Sequence, residues 1–89
     1  MARNFRLEVS RTAERQLAAL PRDDQIRVSR VIQHLAEEPR PVGTRKLSGY
    51  SDVYRIRVGH YRIIYSVEDD RLLIIVLKIG HRKDIYRSL

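Results

Sequence analysis

The stretch YRIRVGHYRIIYSV, residues Tyr54–Val67, predicts a β-hairpin. Apolar and charged side chains alternate on either side of Gly59-His60, and a glycine at the first of two turn residues is typical of a type II′ hairpin. A two-residue turn fixes the pairing register of the two strands. The register contains the cross-strand pairs Val58 with Tyr61, Arg57 with Arg62, Ile56 with Ile63, and Tyr54 with Tyr65. Three of these pairs form one apolar face.

The opposite face of the hairpin carries Arg57 directly across from Arg62, with Arg55 diagonal to both. These three residues are called the arginine face below. One arginine on an outer strand face is usually just solvated, but like charges directly opposite each other destabilise a sheet by up to about 1 kcal/mol. No acidic residue lies among these positions. Because guanidinium groups donate paired hydrogen bonds to phosphate oxygens, we expect a bound phosphate to relieve the repulsion.

The flanking sequence supplies the other elements. Residues 5–9 alternate and predict a half-buried strand. Apolar residues at helical spacing then predict two helices, the first capped by Ser10 and ended by Pro21, the second reaching about Glu38. After the hairpin, the apolar run Leu72–Ile79 predicts a central strand that is covered on both faces.

Together these elements predict an α+β fold in the order β-α-α-β-β-β. A helical hairpin packs on one face of a small antiparallel sheet, and a short C-terminal tail follows. At 89 residues, the chain predicts a single domain over residues 1–89. A domain of this size cannot enclose a deep cavity, so we expect any active site to be a shallow surface.

Composition narrows the class of function. Eighteen Lys and Arg against eleven Asp and Glu give a net charge of +7, which suits a phosphate-rich partner. Residues 45–89 hold ten of the basic and five of the acidic side chains, so the second half is the expected contact region. The absence of cysteine excludes disulfides and thiolate–metal sites. No apolar run is long enough for a membrane span or a signal peptide, which predicts a cytoplasmic protein without membrane contact.

Further side chains are candidates for the same site. Arg82 follows Gly80 at the end of the strand expected beside Arg62. Tyr86 can stack on a base or donate a proton, although it can equally pack the tail against the domain. Histidine is the side chain type suited to proton transfer near neutral pH, so His81 is the candidate proton acceptor.

This set of residues favours cleavage of RNA without a metal or other cofactor. Metal-dependent nucleases need paired carboxylates, and the second half of the chain does not supply them near the arginines. In RNA the 2′-hydroxyl can attack the adjacent phosphorus while cations stabilise the developing charge. DNA lacks the 2′-hydroxyl nucleophile and is therefore expected to resist cleavage.

The segment from Lys46 onward resembles the second half of RelE-type toxins of bacterial and archaeal toxin–antitoxin systems. The resemblance covers essentially the whole chain, and its most specific parts are KL-x-G at residues 46–49, YRI-x-VG-x-YRI-x-Y at residues 54–65, and GHR at residues 80–82 with a tyrosine soon after. It implies membership of the RelE/ParE superfamily. It also implies an endoribonuclease (mRNA interferase) that cuts message in the ribosomal A site and so inhibits translation.

The resemblance also implies roles for single residues. It places Arg55, Arg57, Arg62, Arg82 and Tyr86 in the site. With His81 as the candidate base these make up the predicted catalytic set, and Arg45, Lys46 and Lys83 are predicted as additional RNA-binding cations. Lys46 is equally well explained as a solvated loop lysine. Some family members have a lysine proposed as general base where Arg55 stands, and arginine is a poor proton acceptor. We therefore expect Arg55 to bind phosphate, and the identity of the base stays open.

The resemblance further implies a cognate RelB-like antitoxin, and such pairs often bind operator DNA through the antitoxin. Exposed apolar positions on the sheet, such as Ile64, or on the helices are expected to receive it. Two other functions stay open. One is a ParE-like toxin that inhibits DNA gyrase by binding, and the other is a plain basic nucleic-acid-binding domain.

Overall fold

The computed structural model describes residues 4–81. Its elements in chain order are β1 (Arg6–Val9), α1 (Arg11–Ala18), α2 (Arg22–Leu35), β2 (Arg45–Lys46), β3 (Val53–Val58), β4 (Tyr61–Glu68), a 3₁₀ turn (Asp69–Arg71) and β5 (Leu73–Gly80). None of the helices in this part of the chain is long and apolar enough to cross a lipid bilayer.

The strands form a single sheet in the order β1-β5-β4-β3-β2. The predicted α+β class and the order of the predicted elements are confirmed, and β5 is a central strand as expected. Strands β2 to β5 are antiparallel, whereas β1 pairs with β5 in parallel and makes the sheet mixed. The short strand β2 was not predicted, because a segment of two residues is too short to show the alternation of polar and apolar side chains that indicates a strand.

The hairpin of β3 and β4 has the predicted register. All four expected pairs are present, including Arg57 opposite Arg62. Gly59 has φ +58°, and Leu72 is the one non-glycine residue with positive φ in the described range. The second turn residue, His60, therefore keeps a negative φ, as a type II′ turn requires.

The core lies between the helices and one face of the sheet. Its sheet side consists of Ile56, Val58, Ile63, Tyr65, Val67, Ile74, Val76 and Ile79, and its helix side of Ala13, Val28, Ile32 and Leu35. The apolar face predicted for the hairpin is therefore the face that the helices cover. Burying one such aliphatic side chain stabilises the fold by about 1.5–3 kcal/mol, so the arginines on the other face are held on a rigid support.

A β-bulge in β5 decides which of its side chains reach the outer face of the sheet. Tyr65 pairs with Val76 but Ile64 pairs with Lys78, so Leu77 is an extra residue. The Leu77 carbonyl accepts a hydrogen bond from the Ser10 hydroxyl at 2.8 Å, and this hydroxyl also caps α1 by accepting from the amide of Ala13 at 3.0 Å. The predicted N-cap is thus confirmed, and it also stabilises the bulge.

The loop between α2 and β2 is held by three contacts. Arg40 forms a bidentate ion pair with Asp69, with nitrogen–oxygen distances of 2.6 and 3.1 Å, and its guanidinium lies 4.9 Å from the centre of the Tyr54 ring. The hydroxyl of Tyr65 donates to the Pro39 carbonyl at 2.7 Å. These contacts fix the chain just before Arg45, the first residue of β2.

The Arg40–Asp69 pair should stabilise the fold by a pH-dependent amount. Hydrogen bonds from Arg40 hold the pKa of Asp69 below its ordinary value of 3.8. A depressed carboxyl pKa stabilises the fold above the unfolded pKa, and the effect is lost as pH falls through the folded pKa. For this exposed pair, Asp69→Asn is expected to lower the free energy of unfolding by about 0.2–1 kcal/mol at neutral pH.

Urea unfolding at neutral pH and across the acid range tests this expectation. The difference in the free energy of unfolding between wild type and Asp69→Asn should disappear as the pH falls and the wild-type carboxyl becomes protonated. Asp70→Asn, one residue along the same turn, changes the charge equally and has no ion pair in the described residues. An Asp69→Asn effect equal to that of Asp70→Asn would contradict a specific role for the pair.

Candidate nucleic-acid interface

The outer face of the sheet brings cations from four neighbouring strands together. Arg57 lies across from Arg62, and Arg55 lies between Arg45 on β2 and Ile64 on β4. Lys78 on β5 follows on the far side of Ile64. Side chains that pair across adjacent strands share one face of a sheet. The arginine face is therefore extended by Arg45 and Lys78.

Three of these cations lack a neutralising carboxylate within residues 4–81. Arg45, Arg55 and Arg57 form no ion pair there, and the pairs Arg40–Asp69 and Arg71–Glu68 lie near the far end of β4 from Arg62. The positive charges of Arg45, Arg55 and Arg57 are thus not neutralised by carboxylates of the described residues. A surface of this kind attracts a polyanion.

The side chains of this surface differ in exposure. Arg57 is exposed, and Arg55 and Arg62 are half-buried. Ile64, which the sequence suggested as an exposed position for a partner helix, is fully buried, so that expectation was wrong. Long cationic side chains cover apolar surface with their stems, and the half-buried state of Arg55 beside Ile64 fits this explanation. On the helices, Ile26 of α2 is 44% exposed.

An aromatic pair lies at the same end of the sheet as Arg57 and Arg62 but on the helix-covered face, because Tyr61 pairs with the core residue Val58. The rings of Tyr61 and His81 are 5.6 Å apart at an angle of 33°. The Tyr61 hydroxyl donates to Asp24 at 3.1 Å, and Asp24 forms an ion pair with Arg27 at 3.0 Å. Desolvation, together with the hydrogen bond to Asp24, raises the pKa of Tyr61 above its ordinary value. This tyrosine is therefore neutral at physiological pH and fixed in position.

Comparison with known proteins agrees with this geometry. Residues 7–86 match the family described as the ParE toxin of the type II toxin–antitoxin system parDE. RelE1 of Methanocaldococcus jannaschii is 30% identical over 87 residues, which cover 94% of this chain and 97% of that protein. Toxin RelG of Mycobacterium tuberculosis is 31% identical over 84 residues, which cover 93% and 97%. The chain belongs to the RelE-type toxins of type II toxin–antitoxin systems.

The fold of this RelE-type toxin matches that of a solved relative. The crystal structure of the archaeal RelE–RelB complex from Pyrococcus horikoshii aligns with a TM-score of 0.80 and 32% identity, covering 90% of this chain and 97% of that one. The family membership predicted from the residues around the arginine face is thereby confirmed.

The structure separates the predicted site residues of the toxin into groups. Arg45, Arg55, Arg57 and Arg62 share the outer face, whereas His81 packs against the ring of Tyr61, which lies on the opposite face. Lys46 pairs with Tyr54 and so lies on the other side of the sheet. The remaining candidates, Arg82, Lys83 and Tyr86, lie outside the described residues.

Lys78 was missed by the sequence analysis. Strict alternation from Val76 would place Lys78 on the core face, and only the bulge at Leu77 turns it to the outer face. A lysine interrupting the apolar run of β5 was the available signal, because a charged side chain is rarely left in a core. In residues 4–81 no three His, Asp or Glu side chains come close enough together to hold a metal ion.

Proposed function

We propose that this RelE-type toxin is a ribosome-dependent endoribonuclease that cleaves mRNA in the ribosomal A site without a protein-bound metal. The observation that carries the proposal is the arginine face. Arg57 stands directly opposite Arg62, and neither Arg55 nor Arg57 has a carboxylate partner in the described chain. Such a surface can bind the phosphodiester of RNA and stabilise the charge that develops on it.

The proposed reaction is an internal transesterification. The 2′-oxygen of one nucleotide bonds to the adjacent phosphorus as the bond to the 5′-oxygen breaks. A base accepts the 2′-hydroxyl proton, and an acid gives a proton to the leaving 5′-oxygen. The products are a 2′,3′-cyclic phosphate and a 5′-hydroxyl end.

The residues divide naturally among these tasks. Arg55, Arg57 and Arg62 bind the phosphate and stabilise its charge, since arginine keeps its proton. Arg82 or Tyr86 serves the leaving group, and His81 is the candidate proton acceptor. Arg45 and Lys78 extend the binding surface along the sheet, and Lys83 adds positive charge next to Arg82.

One feature supports a role on the ribosome. Arg57 is the exposed member of the arginine face, and it can contact a message that a larger assembly holds in place. Translating ribosomes hold mRNA in that way and would place the activity in the cytoplasm. A RelB-like antitoxin is the proposed partner, because the Pyrococcus horikoshii relative was solved as a RelE–RelB complex. Operator DNA would be bound through that antitoxin.

Primer extension on a defined message tests the proposed function. With translating ribosomes, the toxin is expected to produce cuts in phase with the codons, each ending in a 2′,3′-cyclic phosphate. Replacing the nucleotide on the 5′ side of a cut by its 2′-deoxy form should abolish that cut, because it removes the nucleophile. Intact message in the presence of ribosomes and active toxin would contradict the proposal.

The family description as a ParE toxin favours inhibition of DNA gyrase as a second candidate function. A gyrase supercoiling assay with the same preparation distinguishes the two. Blocked supercoiling with intact message would support the gyrase function, and codon-phased cuts with unaffected gyrase would support the nuclease.

A further inference from the structure

Lys78 lies on the outer face of the sheet, one strand beyond Arg62. It pairs with Ile64, and Ile64 pairs on its other side with Arg55. Neighbouring strands are about 4.8 Å apart, so the backbones of Lys78 and Arg55 lie roughly 10 Å apart, with the buried Ile64 between them. A cation at this distance lengthens the track of positive charge along which the backbone of a single-stranded nucleic acid can lie.

The segment of β5 that carries Lys78 runs past the end of its neighbour β1. The last pair between these strands is Val9 with Val76, and the amide of Ser10 then donates to the Val76 carbonyl at 2.9 Å. A strand without a neighbour leaves its backbone amides and carbonyls to be satisfied by other groups. The β-bulge at Leu77 lies in this segment.

Side chains from α1 and its cap take the place of the missing strand. The Ser10 hydroxyl donates to the Leu77 carbonyl at 2.8 Å, and the Ile79 amide donates to the side-chain oxygen of Gln16 at 2.6 Å. These two contacts hold the residues directly before and after Lys78. The bulge turns Lys78 to the outer face, and both contacts fasten the bulge to α1, so they fix the point from which the Lys78 side chain extends.

We propose that Lys78 binds a phosphate of the RNA next to the one held by the arginine face. Gln16 and Ser10 are positioning residues that act on Lys78 through the bulge. This inference rests on the proposed function, since the arginine face must hold the neighbouring phosphate. An ammonium group binds phosphate as a compact point charge and does not require the paired geometry of a guanidinium. Lys78 therefore contributes to RNA affinity and to the placement of the message.

A scan with neutral linkages locates the phosphate. The probe is a short, fluorescently labelled 2′-O-methyl RNA, which cannot be cleaved because its 2′-oxygens are blocked. Each version carries one methylphosphonate, which has no negative charge, and fluorescence anisotropy measures its affinity for the toxin. Lys78→Met keeps an unbranched stem beside Ile64 without the charge, and it is expected to lose the sensitivity to one linkage. Arg57→Ala is expected to lose the sensitivity to a neighbouring linkage and to retain the first.

The salt dependence of binding measures the same contact independently. Lys78→Met should lower the slope of the logarithm of affinity against the logarithm of salt concentration by about 0.7, the value for one phosphate on a single strand. Lys78→Arg should restore the slope because the charge returns. Arg30→Met removes an exposed positive charge on α2 and should leave the slope unchanged.

The possible results separate this site from the arginine face. A salt slope of folded Lys78→Met equal to that of wild type would overturn the Lys78 site. Loss of sensitivity at the same linkage in Lys78→Met and Arg57→Ala would overturn it as well, because the two cations would then share one phosphate. A wild-type toxin that is insensitive to every methylphosphonate would contradict the arginine face too, and with it the proposed function.

A double-mutant cycle tests the positioning role of Gln16. Gln16→Met has nearly the same length, but its thioether is only a weak acceptor for the Ile79 amide. With Lys78 intact, this change should weaken RNA binding roughly two-fold or more, whereas in the Lys78→Met background it should have almost no effect on binding. Urea unfolding measures the accompanying loss of stability, which should be equal in the two backgrounds. An equal loss of RNA affinity in both backgrounds, in folded protein, would overturn the positioning role.

Discussion

Arg57→Ala is expected to lower ribosome-dependent cleavage by about 10²–10³-fold, the usual cost of removing one preorganised group that stabilises transition-state charge. Arg57 is the most exposed member of the arginine face and lies directly opposite Arg62. In the proposed reaction, the cleaved phosphodiester gains negative charge beside these two guanidinium groups. Growth arrest on expression of the toxin should be lost together with cleavage.

The same substitution should not destabilise the fold. Arg57 has no ion pair with a carboxylate of residues 4–81, and its removal relieves the repulsion of Arg62, which is worth up to about 1 kcal/mol. Activity and stability are therefore expected to move in opposite directions. That combination separates a functional residue from a structural one, because loss of a structural residue lowers both.

Single-turnover cleavage on programmed ribosomes and urea unfolding provide the two measurements. Arg30→Ala is the matched control, since Arg30 is an exposed arginine on α2 away from the sheet. It removes the same charge and should leave cleavage within about two-fold of wild type, as expected of a surface position without a specific contact. The cleavage rate of Arg57→Lys should lie between those of wild type and Arg57→Ala, because lysine keeps the charge but not the paired hydrogen bonds. Wild-type cleavage by folded Arg57→Ala would rule out the role of this face.

The hairpin could be predicted from the sequence because its geometry is local. The Gly59-His60 turn leaves one register, and that register places Arg57 against Arg62 without any knowledge of the remaining chain. Lys78 could not be placed in this way. Its face depends on a bulge at Leu77, whose carbonyl is satisfied by Ser10 from a distant part of the chain.

Other features of the site depend on long-range pairing in the same way. The parallel pairing of β1 with β5 cannot be predicted from the alternation of β1. Alternation shows which side chains share a face of the sheet, but it does not show which strand lies alongside. The pair Arg40–Asp69 joins residues that are 29 positions apart. Ile64 is fully buried although it lies on the outer face, because the alternation of a strand gives the face of a residue but not what covers that face.

Tyr65→Ala is expected to have the largest effect on stability, a loss of about 3–5 kcal/mol in the free energy of unfolding. Tyr65 is fully buried at the centre of the core, and its ring lies 6.0 Å from that of Tyr54. Small domains have a total stability of only about 5–15 kcal/mol. A large part of the Tyr65→Ala protein is therefore expected to be unfolded near physiological temperature, and toxicity should fall with the folded fraction.

Tyr65→Phe separates packing from hydrogen bonding at this position. Phenylalanine keeps the ring but leaves the Pro39 carbonyl without its donor and the Thr44 hydroxyl without its partner at 3.2 Å. Pro39 and Thr44 are only half-buried, so water can take the place of the missing hydroxyl in part. Tyr65→Phe is therefore expected to lower the free energy of unfolding by about 1 kcal/mol. Burial raises the pKa of Tyr65 above its ordinary value of 10.0, so the hydroxyl donates throughout the physiological range.

Urea unfolding of the two Tyr65 variants beside Tyr50→Ala tests this account. Tyr50 is 43% exposed on the loop before β3, so the same change of side chain there should cost no more than about 0.5 kcal/mol. Since Tyr65 holds Pro39 and Thr44 just before Arg45, Tyr65→Phe should also increase hydrogen exchange in residues 39–45 while the centre of β4 stays protected. Equal losses for Tyr65→Phe and Tyr65→Ala would show that the hydroxyl, and not the ring, carries the stability at this position.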